Sequence, residues 1–308
     1  MAEPEAHTEE QIQPAQASND ASNRRTHFLE YVKVIVATVL VALFLKTFIV
    51  EAYRIPSGSM ENTLLVGDFL LVSKLAYGFR TPSRVPLTNV AMPTLKIPLW
   101  GRVHRGDVVV FEYPGSLDEL KPPKAVNYVK RCIGLPGDTV SIVHGKVIVN
   151  GNTLDLPRFA KPVDESGYFS DSRRTTPFPP GSSFTQFNFG PIVVPRLDDT
   201  IDLNSNSIAR WKILIEREGH TVLVDETRQV FVDGRKADHY VIKRNYYFML
   251  GDNRDNSLDS RYWGYVSDNN IVGEALMVYW SWIGESSSES QMVKSSNIRW
   301  NRIGTIIR

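Results

Sequence analysis

One apolar segment near the start of the chain restricts its possible folds more than any other feature. Residues 34–45 carry no charge and lie between Lys33 and Lys46. As a helix, residues 31–50 rise about 30 Å, roughly the hydrocarbon thickness of a bilayer, and the two lysines can reach opposite headgroup layers. A cleavable signal peptide is the alternative, but residues 48–51 (Phe-Ile-Val-Glu) offer no small-x-small cleavage pattern. We therefore expect residues 31–50 to be a retained transmembrane anchor.

The flanks of this anchor predict its orientation. Residues 1–30 hold six acidic residues against Arg24 and Arg25 and contain almost nothing apolar, so we expect a disordered tail. Arg24, Arg25 and Lys33 precede the apolar run, and basic flanks stay in the cytoplasm. The sequence therefore predicts a cytoplasmic tail and export of everything after Val50.

Composition excludes several classes of function. The formal net charge is +1, whereas a nucleic-acid binder would carry a strongly basic face. Cys132 is the only cysteine, so neither an intramolecular disulfide nor a multi-cysteine metal site can form. No His-Glu-x-x-His or comparable ligand spacing occurs among the six histidines. We expect no metal, no cofactor and no nucleic-acid partner.

Beyond the anchor the chain shows short apolar runs separated by turn residues, a pattern typical of a β protein. Short apolar runs such as residues 69–72 and 108–111 each follow a Gly-Asp pair. The pattern of residues 139–151 is repeated at residues 221–234, and each copy predicts a hairpin closed by a glycine turn. Residues 152–220, between the copies, are richer in Pro, Phe, Ser and Asn and indicate an insertion.

A serine turn follows the anchor directly. Residues 55–60 read Ile-Pro-Ser-Gly-Ser-Met, where Pro56 favours an extended approach and Gly58 permits a tight turn. Ser59 lies only nine positions after Val50, so an extended link keeps this hydroxyl within about 30 Å of the bilayer. The segment is suited to an exposed nucleophile, although by itself it is more typical of a plain Ser/Gly turn that leads off a helix.

A lysine in a strand-like segment could activate that serine. Residues 127–138 alternate Tyr128, Lys130 and Cys132 with Val129, Arg131 and Ile133, so either face of a strand must hold a charge. One interpretation is an edge strand that exposes both charges to discourage aggregation. The other is that Lys130 faces inward, where desolvation lowers its pKa and leaves a neutral amine able to act as a general base.

A third segment decides between these interpretations. Residues 251–264 read Gly-Asp-Asn-Arg-Asp-Asn-Ser-Leu-Asp-Ser-Arg-Tyr-Trp-Gly, a composition that suits neither a helix nor a strand. Taken together and in this order, residues 55–60, 127–138 and 251–264 resemble the type I signal peptidases. These are bacterial membrane-anchored Ser-Lys proteases that remove secretory signal peptides. The resemblance covers the anchor and residues 51–80, 106–151 and 245–276, and it leaves residues 152–220 unmatched.

The resemblance implies a role for each matching residue. Ser59 is the nucleophile, Lys130 its general base, Ser57 an oxyanion-hole hydroxyl and Ser257 the group that orients the lysine amine. Asp259 and Arg261 match an ion pair that supports the site. Asn62 departs from the proline usual three positions after the nucleophile, which would loosen that turn.

These observations lead to one expected fold and function. We expect a mainly β, antiparallel catalytic domain with an inserted cap subdomain, behind one N-terminal transmembrane helix in the bacterial inner membrane. The expected activity is cleavage after small-x-small sites of exported pre-proteins, on the outer or periplasmic side. A noncatalytic membrane-anchored β module and a self-cleaving Ser-Lys regulator are the alternatives. The expected domains are a tail (1–30), an anchor (31–50), a catalytic domain (51–151 and 221–283), an inserted subdomain (152–220) and a loose C-terminal segment (284–308).

Overall fold

The structure is a computed structural model that describes residues 15–80, 96–97, 101–157, 160–161, 176–283 and 297–308. For residues 15–27, 79–80 and 96–97 it describes the backbone alone. The chain divides into two compact units, residues 1–47 and residues 48–308.

The first unit contains helix α1 (Ala15–Phe44), which a π-helical turn (Leu45–Ile49) extends. Phe28–Ile49 has a mean hydropathy of 2.3 with none of it buried, so by length and composition it can cross a membrane, as expected. The helix begins at Ala15, however, and residues 15–30 depart from the expected disorder. Extending a helix that an apolar span has nucleated costs little, because each added residue gains a hydrogen bond. Residues 1–14 lie outside the described residues.

The second unit is mainly β, and its paired strands are antiparallel, which confirms the expected fold class. Two further helices are short, α2 (Ile208–Arg217) and α3 (Ser260–Trp263). The strands are β1 (Val50–Arg54), β2 (Asp68–Ser73), β3 (Phe79–Arg80), β4 (Lys96–Ile97), β5 (Val108–Glu112), β6 (Asn127–Gly134), β7 (Thr139–Val143), β8 (Lys146–Val149), β9 (Asn152–Thr153), β10 (Phe189–Val193), β11 (Thr200–Asp202), β12 (Val222–Val224), β13 (Val230–Val232), β14 (Arg235–Lys236), β15 (His239–Val241), β16 (Tyr246–Leu250), β17 (Val266–Ser267), β18 (Ile271–Ser281) and β19 (Thr305–Ile306).

The main sheet has the strand order β1-β2-β18-β5-β6-β16-β17, with β19 paired to β18. Its middle strands are apolar on both faces because the side chains of each face pack into a different buried cluster. In β5, Val108 and Val110 belong to one buried cluster, while Val109 and Phe111 belong to another. The continuous apolar run at residues 108–111 is therefore a strand buried on both sides.

A third core shows that residues 152–220 are not a separate module. Strand β10 pairs with β7 of the preceding hairpin, so the segment completes a four-stranded sheet, β10-β7-β8-β9. Helix α2 contributes Trp211 and Ile215 to the same buried cluster as Val140 and Val230. The boundary expected at residue 152 therefore falls within a shared core, because a short insertion buries its apolar side chains best against strands that already exist.

The two repeated patterns form hairpins, β7–β8 and β12–β13, as predicted. A glycine turn closes the first hairpin, because His144 and Gly145 form its two-residue loop at positive φ, but the loop of the second hairpin, residues 225–229, contains no glycine. Gly151 and Gly234 follow the second strand of each copy, and each lies with the residue before it at positive φ. These Asn-Gly and Asp-Gly pairs therefore turn the chain into a third strand, β9 or β14, by the geometry that two-residue hairpin loops require.

The end of the chain is not a loose tail. Residues 284–296 lie outside the described residues, but β19 pairs with β18, and Arg299 donates a backbone hydrogen bond to Ser281 (2.9 Å). The expectation of a loose segment is therefore wrong for residues 297–308. The Ser-rich composition of this part of the chain gave no sign of the strand pairing at residues 305–306.

The close approach of β18 to β2 yields a stability prediction. A methyl group at Gly273 would lie 2.2 Å from the carbonyl oxygen of Ser73, so one of the two strands would have to shift. We expect Gly273→Ala to lower the free energy of unfolding by about 1–3 kcal/mol. Denaturant midpoints of the full chain in detergent micelles would measure this change.

A matched control lies on the same strand. Leu276 is 37% exposed, so Leu276→Ala removes little buried contact, and we expect it to change the free energy of unfolding by about 0.5 kcal/mol or less. Equal midpoints for the two variants would contradict the steric argument.

Candidate active site

The serine turn is held in place by a buried apolar side chain on each side of Ser59. Ile55 and Met60 are both buried in the cluster beneath the main sheet. Ser57 is extended (φ −134°, ψ 156°) and precedes a 3-10 turn, Gly58–Met60. Because Met60 points into the core, Ser59 is left half-buried at the surface of the turn.

Lys130 lies on β6 and faces this serine. Its side chain is buried, and its Nζ donates a hydrogen bond to Ser59 Oγ. The two residues are 71 positions apart in the chain, so only the folded sheet brings them together. The interpretation in which Lys130 is an exposed edge charge is therefore wrong.

Burial changes the chemistry of this amine. Desolvation lowers the pKa of Lys130 from 10.5 to about 8, because removing a charge from water penalises the protonated form. The carboxylates of Asp259 and Asp252 oppose this change in pKa, and the guanidinium of Arg261 adds to it. A substantial fraction of the amine is consequently neutral near physiological pH.

The loop at residues 251–264 passes directly behind the pair. A methyl group on Gly251 would lie 2.1 Å from Ser257 Oγ and 2.5 Å from the Ser59 carbonyl oxygen, so only glycine fits there. Asn253 N donates to that same Ser59 oxygen (3.1 Å), and Asn253 Nδ2 donates to the Gly58 oxygen (3.0 Å). The loop therefore docks on the serine turn by backbone contact.

Ser257 and Ser57 differ in their surroundings. Ser257 is buried, and its hydroxyl has no hydrogen-bond partner within the described part of the chain. The structure therefore places it in the loop behind the site but shows no hydrogen bond from it to Lys130. Ser57 is exposed, and its hydroxyl makes no cap hydrogen bond to the turn that it precedes.

Asp259 and Arg261 form a buried, bidentate ion pair. Arg261 Nε and Nη2 each lie 2.8 Å from a carboxylate oxygen of Asp259. Burial alone would raise the pKa of Asp259, but the charge and hydrogen bonds of Arg261 outweigh it and hold the pKa below its usual value. Asp259 also accepts a hydrogen bond from Gly251 N (3.1 Å), so the pair fixes the start of the loop.

A second buried ion pair was missed by sequence reasoning. Arg131, on the opposite face of β6 from Lys130, donates to Asp252 through Nε (2.9 Å) and Nη2 (2.6 Å). Thr63 Oγ1 donates to the same carboxylate (2.6 Å). A signal was present, because a buried strand with a charge on each face requires a buried counter-charge, and Asp252 is the first acidic residue of the loop.

The cleft beside Ser59 has a volume of about 390 Å³ and lies between two backbone segments, residues 53–60 and 126–130. Strand β1 pairs with β2 alone, and residues 127–130 of β6 pair with β5 on one side. Among the described residues, no strand pairs with the other edge of either segment, since β16 meets β6 only from Arg131 onward. Each wall of the cleft therefore has an edge that no strand in the described part of the chain covers.

The backbone conformation of residue 62 explains why asparagine stands there instead of the usual proline. Its φ is +76°, a left-handed conformation that asparagine tolerates and that proline, locked near −65°, cannot adopt. The turn after Ser59 therefore takes a different backbone path at this residue, and the contact between Ser59 and Lys130 is retained.

Sequence comparisons with known proteins point to one family. A family model described as signal peptidase, peptidase S26, matches residues 28–280. The signal peptidase I of Buchnera aphidicola subsp. Acyrthosiphon pisum is 33% identical over 295 residues, covering 93% of this chain and 84% of the relative. The signal peptidase I of Pseudomonas aeruginosa is 34% identical over 281 residues, covering 88% and 78%.

A solved structure was also found, a signal peptidase I from Enterococcus faecalis V583. It is 22% identical with a TM-score of 0.26, and the match covers 56% of this chain and 96% of that chain. A TM-score this low supports no conclusion, so the assignment depends on the sequence matches, which extend from the apolar helix to β18. The chain therefore belongs to the signal peptidase family, peptidase S26, whose members are serine proteases that remove signal peptides.

Proposed function

We propose that this chain removes signal peptides from exported pre-proteins through a Ser-Lys dyad, with Ser59 as nucleophile and Lys130 as general base. The observation that carries the proposal is the hydrogen bond between Lys130 Nζ and Ser59 Oγ, made by a buried amine with a lowered pKa. A noncatalytic peptide-binding module would have no use for a buried lysine, because burying the amine costs free energy that a leucine would not.

The chemistry follows from the two groups. Neutral Lys130 accepts the proton of Ser59 Oγ as that oxygen attacks the carbonyl carbon before the scissile bond. The ammonium then donates the proton to the leaving amine, which leaves an acyl-enzyme on Ser59. Water, deprotonated by Lys130, attacks the ester carbon, and the returned proton restores the serine hydroxyl. Each step moves one proton between Lys130 and a reacting atom.

The negative charge on the tetrahedral intermediate requires donors. We assign these to the Ser59 backbone N–H and the Ser57 hydroxyl. Ser57 is exposed beside the turn and is not engaged in capping it, which supports the assignment. A donor in an oxyanion hole is worth about 3 kcal/mol of transition-state stabilisation.

Ser257 and the ion pair behind it would keep the amine in position. A buried hydroxyl without a partner is costly, so Ser257 needs an acceptor or donor during the reaction, and the amine of Lys130 is the group that we assign to it. Asp259 and Arg261 would hold the loop that carries this hydroxyl.

The cleft edges that no described strand covers support binding of an extended substrate. A peptide strand inserted between residues 53–60 and 126–130 would make main-chain hydrogen bonds to one or both walls. Its alternate side chains would point toward the floor of the cleft, near Ile55 and Val129. Shallow pockets there would admit only small residues immediately before the cut and two positions earlier, which is the small-x-small pattern.

The first prediction of this mechanism concerns Lys130 and pH. Because the base must be neutral, the rate of pre-protein cleavage should rise between about pH 6 and 9, with its midpoint near pH 8. Lys130→Met and Ser59→Ala should each lower the rate by about 1000-fold or more. Cleavage by the purified full chain in detergent micelles, followed by mass spectrometry of the products, would measure this.

The same pKa predicts an effect on stability. A lysine whose folded pKa lies below its unfolded value destabilises the fold fully below about pH 8, and this penalty vanishes above about pH 10.5. Lys130→Met should therefore leave the free energy of unfolding at pH 7 unchanged or raise it by up to about 3 kcal/mol. Lys146→Met, the same change at an exposed lysine, is the control and should retain activity. Substantial cleavage by Lys130→Met would remove Lys130 from the role of base.

The second prediction concerns specificity. Replacing the alanine before the scissile bond with leucine should abolish cleavage, because a bulky side chain clashes with a shallow pocket. The same replacement one residue earlier should have little effect, since alternate side chains of a strand point away from the cleft. Equal processing of the two altered precursors would contradict the proposed pockets.

The third prediction concerns orientation. Because the basic residues precede the one apolar helix found among the described residues, we propose that the second compact unit is exported from the cytoplasm of a bacterial cell. Protease added outside spheroplasts should digest residues after the anchor and spare the N-terminal part, and lysis should expose that part as well. A large domain that is protected until lysis would require the opposite orientation.

A further inference from the structure

The end of the chain returns to the catalytic side of the molecule. Residues 297–308, here named the C-terminal return, pack along β18: Ile283 N donates to the Asn297 oxygen (2.7 Å), and Ile307 N donates to the Leu276 oxygen (2.9 Å). This packing carries Arg299 and Arg302 to the start of β2, just beyond the serine turn.

At that point the return meets a buried carboxylate. Asp68 has no exposed surface, and it accepts hydrogen bonds from Leu65 N (2.8 Å) and Ser281 Oγ (2.6 Å). Arg302 Nη2 forms an ion pair with it, and Arg299 Nη1 lies 3.6 Å away. A buried carboxylate requires such charge compensation, so the return is part of the folded structure around β2.

Both arginines also donate hydrogen bonds to the turn that follows the proposed nucleophile, residues 61–67. Arg302 Nη2 donates to the carbonyl oxygen of Thr63 (2.9 Å), and Arg299 Nη2 donates to that of Val66 (2.9 Å). Arg302 is only partly accessible, with a side-chain exposure of 15%. The guanidinium thereby ties the backbone of Thr63 to a fixed point on β2.

Thr63 connects Arg302 to the reacting groups. Its hydroxyl donates to Asp252 (2.6 Å), which also holds Arg131, the chain neighbour of Lys130. The residue after Asp252 is Asn253, which binds the Ser59 carbonyl oxygen. The contacts therefore run without a break from Arg302 through Thr63 and Asp252 to both sides of the proposed dyad.

We propose that Arg302 is a positioning residue for cleavage, acting through Thr63 and Asp252 on the placement of Ser59 against Lys130. This role rests on the proposed Ser-Lys mechanism. Misplacement of reacting groups slows the chemical step more than it weakens substrate binding, because the substrate's binding walls extend along residues 53–60 and 126–130, well beyond the two reacting side chains.

The test separates positioning from general stability. We expect Arg302→Met to lower kcat by about tenfold or more while KM stays within about twofold, assayed well below the unfolding midpoint of each variant. Arg302→Lys keeps the charge at Asp68 and should recover part of kcat. Thr63→Val removes the hydroxyl without changing the volume and should lower kcat in the same way.

Coupling between the two sites is the decisive measurement. If Arg302 acts through Thr63, the double variant Arg302→Met/Thr63→Val should lose little more kcat than the worse single variant. Arg308→Gln changes an exposed arginine of the same return and should leave kcat unchanged. Normal kcat in folded Arg302→Met, a loss confined to KM, or additive losses in the double variant would each overturn the role. Should Arg302→Met fail to fold, Arg302→Lys and Thr63→Val still supply the comparison.

Failure of this role and failure of the mechanism have different signatures. Cleavage by Ser59→Ala would refute the dyad itself. Normal kcat in the Arg302 variants, together with an inactive Ser59→Ala, would overturn the positioning role alone and leave the proposed mechanism intact.

Discussion

The burial of one amine against one hydroxyl is the constraint on which the rest of the structure depends. Lys130 must be inaccessible to water for its pKa to fall to about 8, yet it must still reach Ser59 Oγ. Burial of an amine is unfavourable, so the surrounding fold has to supply the stability that this site consumes. The wide antiparallel sheet, with a core on each face, provides that surplus.

The neighbouring charges are arranged so that few are left uncompensated. Arg131 pairs with Asp252, and Arg261 pairs with Asp259, each by two hydrogen bonds. Breaking such a pair by removing one partner costs several kcal/mol, because the other charge remains buried. The loop at residues 251–264 is thus held to β6 by the Arg131–Asp252 ion pair, and it contacts the Ser59 carbonyl oxygen through Gly251 and Asn253.

Distant parts of the chain share this supporting role. The C-terminal return compensates Asp68, and the segment between the two hairpins buries its apolar side chains in the same core as Phe248 and Leu250 of β16, the strand that leads into the loop at residues 251–264. Neither segment carries a catalytic motif. Their physical contribution is to keep the two walls of the cleft and the loop behind it at fixed positions.

Local features of the fold could be predicted from the amino-acid sequence. The apolar span, the strand at residues 108–111, the two hairpins and the three motifs were all predictable, because side-chain periodicity and turn residues act over a few positions. Only the tertiary structure decided which face of β6 meets Ser59, that Arg131 pairs with Asp252 across 121 residues, and that residues 297–308 return to the sheet. Those outcomes depend on burying charges and apolar surface from remote segments together, and no local pattern records which segments will meet.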